Sequence, residues 1–222
     1  RELVVERSEL DSGLETRALG LCGIHTAGRA AAHLAGWLRR QTDDLYPPSH
    51  TNRTRMTDDP VLLTGAGGRV GRAILDGIGD AHEWRLLDRE PISTSRLPES
   101  VADAERVIGD VTDEATVREA VEGVSTVVHL AGDPRPEAPW ESVLTNNVDG
   151  TQTVMAVAAE ADVDNVVFAS SNHAVGAYET EERTPEMYRA SDEFRLDGTE
   201  LQRPSNLYGV SKAAGETLGR YY

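Results

Sequence analysis

From residue 60 onward the chain alternates short apolar runs with longer stretches of helical periodicity. Runs such as VLLT, RLLD and VVHL place apolar residues at consecutive positions, which is typical of strands buried on both faces. The predicted strands are 60–64, 83–88, 105–110, 125–132 and 164–171. The predicted helices are 69–79, 113–122 and 141–161, with a last helix that begins near residue 206.

Strands that alternate with helices build parallel β-α-β units with right-handed crossovers. The pattern therefore predicts an α/β fold of the Rossmann type, in which helices cover both faces of a doubly wound parallel sheet. In such sheets the ligand-binding crevice lies at the carboxyl ends of the strands. The candidate chemistry should therefore be found just after each apolar run.

Residues 1–55 have a different composition from the rest of the chain. They contain eight Arg and seven acidic residues, whereas the remainder has 14 basic and 31 acidic residues. The break falls at Met56, so we expect the natural protein to begin there, with 1–55 an N-terminal extension and 56–222 the folded domain. The alternative is a genuine small N-terminal element, since residues 26–40 are compatible with an Ala-rich helix.

The net charge of −16 argues against a nucleic-acid partner, because a polyanion would be repelled. The acid excess coincides with a near-absence of lysine, since Lys212 is the only one among 22 basic residues. Hydrated carboxylates keep a protein soluble where salt screens charge, which favours a halophilic source. No apolar stretch is long enough for a membrane span, and the single Cys fits a reducing, cytoplasmic location.

The first predicted strand ends in TGAGGRVG, residues 64–71. Glycines at this spacing allow a tight turn, a close approach of a pyrophosphate and close packing of the following helix, whose N-terminus offers N–H groups to the phosphate. The strand before the loop and the helix after it are the context that this motif requires. The loop residues expected to contact a dinucleotide are Gly65, Gly67, Gly68, Arg69, Val70 and Gly71.

Asp88 ends the second strand, about 20 residues beyond the glycines, where a carboxylate accepts the adenosine ribose hydroxyls. Its charge would repel a 2′-phosphate, so NAD is favoured as cofactor, although the neighbouring Arg89 leaves NADP open. Other residues on the same carboxyl edge are expected to contact the adenine and the inner half of the cofactor: Asp110, Val111, Leu130, Ala131 and Gly132. No metal is expected.

Tyr208 and the single lysine, Lys212, are four residues apart, on one face of the last helix. A tyrosine with an ordinary pKa near 10 is a poor base at neutral pH. An ammonium beside it favours the phenolate, so we expect Lys212 to lower the pKa of Tyr208. Arginine differs in shape and reach, which explains why this lysine has not been replaced.

Four motifs together resemble the extended short-chain dehydrogenase/reductase family: TGAGGRVG at 64–71, NNVDGT at 146–151, SSNH at 170–173 and YGVSK at 208–212. The resemblance covers about 56–222. It implies catalytic roles for Tyr208 and Lys212, with Ser171 bonding the substrate hydroxyl and Asn147 holding a water linked to Lys212. Within the family, VVFASSNHAVGAYE and RPSNLYGVSKAAGE are similar to sugar C1 dehydrogenases, in which Asn172 and His173 would also contact sugar hydroxyls.

The resemblance implies NAD-dependent oxidation of a hexose at C1, and glucose 6-phosphate giving the lactone is the expected reaction. A uronate dehydrogenase is the first alternative, although Pro134 replaces a hydroxyl residue of that group. A nucleotide-sugar epimerase or dehydratase and a non-catalytic NAD-sensing protein are the others. The loop 174–204 contains candidates for a substrate phosphate, or else a salt-bridged surface: Arg183, Arg189, Arg195 and Arg203.

A sheet of this family continues beyond the Tyr/Lys helix with at least one more strand, so we expect the fold to be truncated at its C-terminus. Strand 164–170 would then have an uncovered edge. We expect residues 56–222 alone to bind NAD weakly and to lack useful dehydrogenase activity. The expected partners are a small sugar or sugar phosphate and further copies of the chain in a homo-oligomer.

Overall fold

The computed structural model describes residues 2–4, 15–21, 59–179, 196 and 200–222. The strands of this part of the chain are β1 Glu2–Val4, β2 Glu15–Leu21, β3 Val61–Thr64, β4 Trp84–Asp88, β5 Glu105–Ile108, β6 Thr126–His129 and β7 Asn165–Ala169. The α-helices are α1 Arg69–Ile78, α2 Glu114–Val121, α3 Trp140–Val143, α4 Gly150–Glu160 and α5 Leu207–Tyr221. The predicted helix at 26–40 lies outside the described residues.

The strands form one sheet in the order β1-β2-β7-β6-β3-β4-β5. The five strands predicted from the apolar runs are β3 to β7, and all neighbouring pairs among them are parallel. β3 lies at the centre of these five strands, with β4 on one side and β6 on the other. The strand order reverses at β3, and this is the place where a doubly wound sheet opens a ligand crevice at its carboxyl edge.

The central strands β3, β6 and β7 are buried on both faces. Leu62, Val127 and Phe168 point to one face, where they pack in a cluster with apolar residues of α2 and α4. Leu63 and Val128, one position further along their strands, belong to a second cluster with apolar residues of α1. Successive residues of these strands thus enter opposite cores, which confirms the predicted doubly wound α/β fold and explains why the central strands are largely apolar.

The expectation of an uncovered edge at the fifth predicted strand is wrong. β2 pairs in parallel with β7, from Glu15 opposite Asn165 to Leu19 opposite Ala169, and β1 pairs antiparallel with β2. The backbone groups on that side of β7 therefore find partners in the N-terminal extension, so the edge is not open. Whether the extension belongs to the natural protein stays a prediction, and so does a boundary at Met56.

The helix predicted for 141–161 is interrupted. α3 and α4 are separated by a π-helical segment, Leu144–Asp149, in which one extra residue is fitted into the turn. Helical periodicity did not predict this segment, because the apolar spacing on either side stays close to that of an α-helix. The π segment carries Asn147, whose side chain is buried. π segments often occur at functional sites, where they turn one side chain away from the regular helix.

None of the helices in the described ranges is long and apolar enough to cross a membrane. Among the same residues, no group of three or more His, Cys, Asp and Glu side chains is arranged so that it could hold a metal ion.

Candidate active site

The glycine loop folds tightly between β3 and α1. Gly65 has a φ of +69°, and a side chain there would meet the backbone of Ala131, whose nitrogen lies 2.9 Å from the position of a Cβ atom. The Gly68 N–H donates to the Gly65 carbonyl over 3.0 Å, which closes the turn. A Cβ atom on Gly71 would lie 2.7 Å from the carbonyl oxygens of Gly65 and Ala66. The first turn of α1 is therefore too close to the loop for a side chain at this position.

The N-terminus of α1 differs from those of α2 and α5. Asp113 and Asn206 cap α2 and α5, accepting hydrogen bonds through their side chains from Ala115 N and Gly209 N. α1 is preceded by Gly68, which has no side chain to cap it, and its first turn contains no acidic residue. Its first N–H groups and the positive end of its dipole are therefore available to a negatively charged ligand.

Asp88 lies at the carboxyl end of β4, beside the loop. Its Oδ2 accepts a hydrogen bond of 2.9 Å from Gly67 N, and its Oδ1 accepts a longer one of 3.3 Å from Glu90 N. Arg89 points across the edge of the sheet, donating to Asn146 Oδ1 at 3.2 Å and lying 3.8 Å from Asp110 Oδ2. The structure thus brings Asp88 and Asp110 to the same edge, with Arg89 turned toward Asp110.

The other cofactor candidates lie around this edge in different environments. Asp110 accepts hydrogen bonds of 2.9 Å from both the backbone and the hydroxyl of Thr112. The Val111 side chain is buried in the core against Gly150, so only its backbone groups remain for a ligand. On α1, Arg69 is exposed, whereas Val70 packs partly against the core.

A buried polar chain joins the loop after β6 to the centre of the sheet. Thr64 Oγ1 accepts from the N–H groups of Leu130 and Ala131, each at 3.2 Å, so its own proton is directed to His129 Nδ1 at 2.8 Å. The proton of a neutral His129 is then on Nε2, 3.1 Å from Thr151 Oγ1. Burial, with a smaller effect of the Lys212 charge, lowers the pKa of His129 to about 3, so the imidazole is neutral.

Asn147 connects the cofactor edge to α5. Its Oδ1 accepts a 2.6 Å hydrogen bond from Asp133 N, and its Nδ2 donates to the Asp133 carbonyl and to Ser211 Oγ, both at 3.0 Å. Gly132 has a φ of +154°, and a Cβ atom there would come within 2.9 Å of Asn147 Oδ1. Asn147 therefore fixes the positions of Gly132, Asp133 and α5 relative to one another. The expected water between Asn147 and Lys212 stays a prediction.

Asp133 is a buried carboxylate close to the candidate catalytic tyrosine. Arg135 binds it through two nitrogens, at 2.9 and 2.6 Å, and the Ser142 hydroxyl donates to it at 2.6 Å. The Arg135 contact, with further support from Ser142, holds the pKa of the Asp133 carboxyl well below its usual range. This charge also acts on Tyr208, where it opposes ionisation of the phenol.

Lys212 is buried on α5, with 7% of its surface exposed. Its Nζ donates to the Ala169 carbonyl at 2.8 Å and lies 4.9 Å from the centre of the Phe168 ring and 5.6 Å from that of Tyr208. Burial lowers the pKa of the Lys212 ammonium to about 8. The lysine predicted from the sequence is therefore in contact with both the strand and the tyrosine.

The expectation that Lys212 lowers the pKa of Tyr208 is wrong in this structure. Burial raises the pKa of the Tyr208 phenol above its ordinary value, a hydrogen bond with the Ser171 side chain opposes the rise, and the charge of Asp133 adds to it. The lysine lies over the ring of the tyrosine and donates to a strand carbonyl. Desolvation therefore dominates, and the pKa of the phenol is above its ordinary value.

Ser171 and Asn172 follow β7 directly. Ser171 is buried at the start of a short 3-10 helix, Asn172–Ala174, where its Oγ accepts from His173 N at 3.2 Å and lies 3.3 Å from Asn172 Oδ1. Its hydroxyl is close enough to the Tyr208 phenol to lower the pKa of that group. The structure thus brings together Ser171, Tyr208 and Lys212, which come from two separate parts of the sequence.

His173 presents one defined nitrogen to the site. Asn206 Oδ1 caps Gly209 N at 2.7 Å, which fixes the orientation of its amide, so Nδ2 donates to His173 Nδ1 at 3.2 Å. Nδ1 is thus an acceptor, and the neutral ring carries its proton on Nε2. The ring packs edge-on against Tyr208, with 5.7 Å between the ring centres. His173 is therefore held beside the tyrosine with Nδ1 occupied by Asn206.

Residues 61–222 match the NAD dependent epimerase/dehydratase family. The chain belongs to this family. It is 70% identical over 165 residues to the NAD-dependent glucose-6-phosphate dehydrogenase of Haloferax volcanii, an alignment that covers 74% of this chain and 63% of that protein. The L-arabinose 1-dehydrogenase (NAD(P)(+)) of the same organism is 41% identical over 162 residues, or 73% of this chain and 60% of that protein.

A solved structure of a mutant uronate dehydrogenase from Agrobacterium tumefaciens, complexed with NAD, is similar in fold. Its TM-score is 0.61 at 32% identity, and the match covers 75% of this chain and 56% of that one. The chain spans between 60% and 63% of the length of the two curated relatives named above.

The family's cofactor class fits the residues present. The turn at Gly65 is too close to Ala131 for a side chain, the N-terminus of α1 is uncapped, and a carboxylate stands at the end of β4. These are the groups that a dinucleotide pyrophosphate and ribose require.

Sequence reasoning missed several residues that hold the site together: Thr64, His129, Asp133, Thr151, Ser170, Asn206, Ser211 and Glu216. A polar residue within an otherwise apolar strand was a usable signal for Thr64 and His129. Asp133 and Ser211 gave no comparable signal, because their partner Asn147 is distant in sequence.

Of the arginines proposed for a phosphate, Arg203 lies 4.8 Å from the centre of the Tyr178 ring, and the other three lie outside the described residues.

Proposed function

We propose that the protein oxidises a hexose at C1 with NAD as cofactor, and that its substrate is glucose 6-phosphate. The observation that carries the reaction class is the grouping of Ser171, Tyr208 and Lys212 at the end of β7, on the same edge of the sheet as the uncapped glycine loop. The choice of sugar is supported by the 70% identity to a glucose-6-phosphate dehydrogenase. The alignment covers 63% of that protein, so the enzymatic activity of this chain is a proposal.

NAD would be held by the glycine loop and by the carboxyl edge of β4 to β6. Gly65, Gly67 and Gly68, with the flanking Arg69, Val70 and Gly71, would face the pyrophosphate, and Asp88 the adenosine ribose. The negative charge of Asp88 disfavours a 2′-phosphate, while Arg89 is drawn toward Asp110, which supports NAD over NADP. Backbone groups of Val111, Leu130, Ala131 and Gly132 would complete the site. The bound cofactor supplies the acceptor for the hydride that leaves C1.

Tyr208 is the proposed base, taking the proton of the C1 hydroxyl as that carbon is oxidised. Ser171 orients the sugar oxygen against the phenol, and Lys212 supplies positive charge beneath the ring and a donor for the cofactor ribose. Because burial raises the pKa of Tyr208, the phenol is mostly protonated at neutral pH. Turnover in the direction of sugar oxidation should therefore increase as the pH is raised above 7.

The sugar would lie against the 3-10 helix that follows β7. Asn172 is half-buried there, and His173 offers the Nε2 proton to an acceptor oxygen of the substrate. An N–H donor suits a sugar hydroxyl, whose oxygen can accept a hydrogen bond.

A uronate dehydrogenase is the second candidate, favoured by the likeness to the uronate dehydrogenase structure. A nucleotide-sugar epimerase or dehydratase would share the fold and the Tyr/Lys pair. A protein that binds NAD without catalysis would not require Tyr208 and Lys212 to be kept together in a buried site, and both are present.

The test is a substrate panel with the full-length protein in high salt, at pH 7 and pH 9. It offers glucose 6-phosphate, glucuronate and L-arabinose, each with NAD and with NADP, while NADH or NADPH is followed by absorbance. We expect NADH from glucose 6-phosphate, much less from glucuronate, and faster turnover at pH 9. Turnover of glucuronate alone would favour the second candidate, and NAD binding without turnover of any sugar would favour the non-catalytic alternative. Tyr208→Phe provides the background rate.

We also propose a cytoplasmic, homo-oligomeric protein whose partners are sugars or sugar phosphates, and neither nucleic acid nor membrane. The strongly negative charge supports the exclusion of nucleic acid. Size-exclusion chromatography with light scattering in high salt would measure the oligomeric state.

A further inference from the structure

Ala169 is the last residue of β7. Ala169 and the two residues after it, Ser170 and Ser171, each lie against a side chain of α5. The carbonyl of Ala169 accepts from Lys212 Nζ at 2.8 Å, and the Ser171 side chain lies beside the Tyr208 phenol, whose pKa it lowers. Between them, the Ser170 hydroxyl donates to Glu216 Oε1. Tyr208, Lys212 and Glu216 are spaced by four residues, so they form one stripe along the helix. The first two belong to the proposed chemistry, and Glu216 has no part in it.

Glu216 is a buried carboxylate, with 3% of its surface exposed. Its second oxygen, Oε2, accepts a 2.5 Å hydrogen bond from Gln202 Nε2 and lies 3.6 Å from Arg220 Nη2. A buried charge is unfavourable unless several donors satisfy it, and here the two close donors are neutral groups from other segments. A carboxylate placed in this way joins three parts of the chain: the end of β7, the segment leading into α5, and α5 itself.

The segments joined by Glu216 are those that carry the proposed substrate groups. Ser170 immediately precedes Ser171, and the segment from Gln202 to Asn206 contacts the Asn172–Tyr178 region. Ser205 N donates to the His173 carbonyl at 3.1 Å, and Ala177 N donates to the Arg203 carbonyl at 2.9 Å. A shift of Ser170 or of Gln202 would therefore move Ser171 and His173 relative to Tyr208.

We propose that Glu216 is a positioning residue that fixes Ser171 and the His173 segment against the Tyr208 phenol. The inference rests on the proposed function, since it assigns Glu216 a role in that same site. Glu216 does not touch the reacting atoms; it acts through Ser170 and Gln202. Its replacement should slow the chemical step and leave the glycine loop and its cofactor unaffected, because the loop is on the far side of β6.

The test uses the full-length protein and starts from Glu216→Gln. The amide has one acceptor oxygen where the carboxylate has two, so either Ser170 or the Gln202 side chain must turn to accept from the new NH2 group. We expect kcat to fall at least about tenfold, since small displacements of a reacting group have effects of this size, with the KM for NAD unchanged. Arg220→Gln, which removes the longer ion pair and leaves both short hydrogen bonds, is the matched control and should retain kcat within about twofold.

A second change reverses the donor and the acceptor. In Glu216→Gln combined with Gln202→Glu, the new amide donates to the new carboxylate, and its oxygen still accepts from Ser170. This double variant should recover most of kcat. A purely structural role would lower the melting temperature of Glu216→Gln without changing kcat below that temperature.

A wild-type kcat in folded Glu216→Gln, or a loss of kcat that the double variant does not restore, would overturn the proposal. If Glu216→Gln does not fold, Ser170→Ala replaces it, because it removes the hydrogen bond from the side of the strand. An unchanged kcat in Ser170→Ala would also overturn the proposal. The wild-type assay on the sugar panel tests the proposed function separately, because each variant is compared with the wild type on whichever sugar the wild type oxidises.

Discussion

The two halves of the candidate site are built in different ways. In the cofactor half, the turn is closed within a few residues, as between Gly65 and Gly68, and its groups are backbone N–H donors. In the catalytic half, the contacts join distant parts of the chain: Lys212 and Ala169 are 43 residues apart, and Asn147 and Ser211 are 64 apart. The first half follows from a local pattern, whereas the second exists only when the helices and strands are packed.

The electrostatics of the two halves differ as well. The glycine loop is partly exposed, and the carboxylate of Asp88 is held there by the N–H of Gly67. The catalytic half buries Lys212 and Asp133 and half-buries Tyr208, and desolvation shifts the pKa of the lysine and the tyrosine in the directions that disfavour charge. Local sequence can therefore indicate which groups take part in the catalytic half, but their protonation depends on the packing around them.

The largest effect is expected from Lys212→Arg, which replaces the buried ammonium in the catalytic half of the site by a guanidinium. A guanidinium has five donors and a planar shape, and the buried site offers the Ala169 carbonyl and the ring faces of Phe168 and Tyr208. We expect kcat for sugar oxidation to fall about 100-fold or more. Arg118→Lys on α2, whose contacts are Glu114 and Glu160 on the surface, is the control. Near wild-type turnover of Lys212→Arg would contradict the role given to this lysine.

Gly65→Ala breaks the cofactor half at its turn. The new methyl group would meet the backbone of Ala131, and the residue would have to keep a φ of +69°. We expect about 3 kcal/mol of lost stability together with weaker NAD binding, measured by denaturation and calorimetry. Gly123 has nearly the same φ, +70°, with no atom within 4 Å of a Cβ atom, so Gly123→Ala should lose about 1 kcal/mol and bind NAD normally. Equal losses in the two variants would show that the contact with Ala131 is unimportant.

His129→Gln sharpens the comparison by testing the polar chain between the halves. The pKa of His129 falls from 6.5 to about 3 on burial, so between these values the unfolded chain binds more protons than the folded one. The free energy of unfolding should therefore decrease as the pH is lowered through this window, by about 1.4 kcal/mol per pH unit from this residue. Urea denaturation at pH 7 and pH 5 in constant salt should show a smaller decrease for His129→Gln than for the wild type. The same decrease in both would mean that His129 does not contribute.

The smallest effect is expected from Asp88→Ala, which should raise the KM for NAD about tenfold and relax the discrimination against NADP. Asp88→Asn separates the two contributions of the carboxylate. It keeps an oxygen for Gly67 N and removes the charge, so it should affect the NAD/NADP preference more than the KM for NAD. An unchanged preference in both variants would show that Asp88 is not at the ribose.

The sequence by itself determined the alternation of strands and helices after residue 60, the glycine turn and the pairing of Tyr208 with Lys212 on one helix face. These features depend on local spacing: consecutive apolar residues form a strand buried on both faces, and residues four apart share a side of a helix. The identity of the family followed from the same short motifs, and residues 61–222 match it.

Only the tertiary structure decided what these residues face. It paired β2 with β7, inserted a π segment at Asn147, and placed Lys212 against the Ala169 carbonyl and over the tyrosine ring. It also reversed the expected pKa shift of Tyr208 and joined Glu216 to Ser170. The physical reason is that burial and hydrogen bonding depend on neighbours far away in the chain, and a one-dimensional pattern carries no information on how closely they approach.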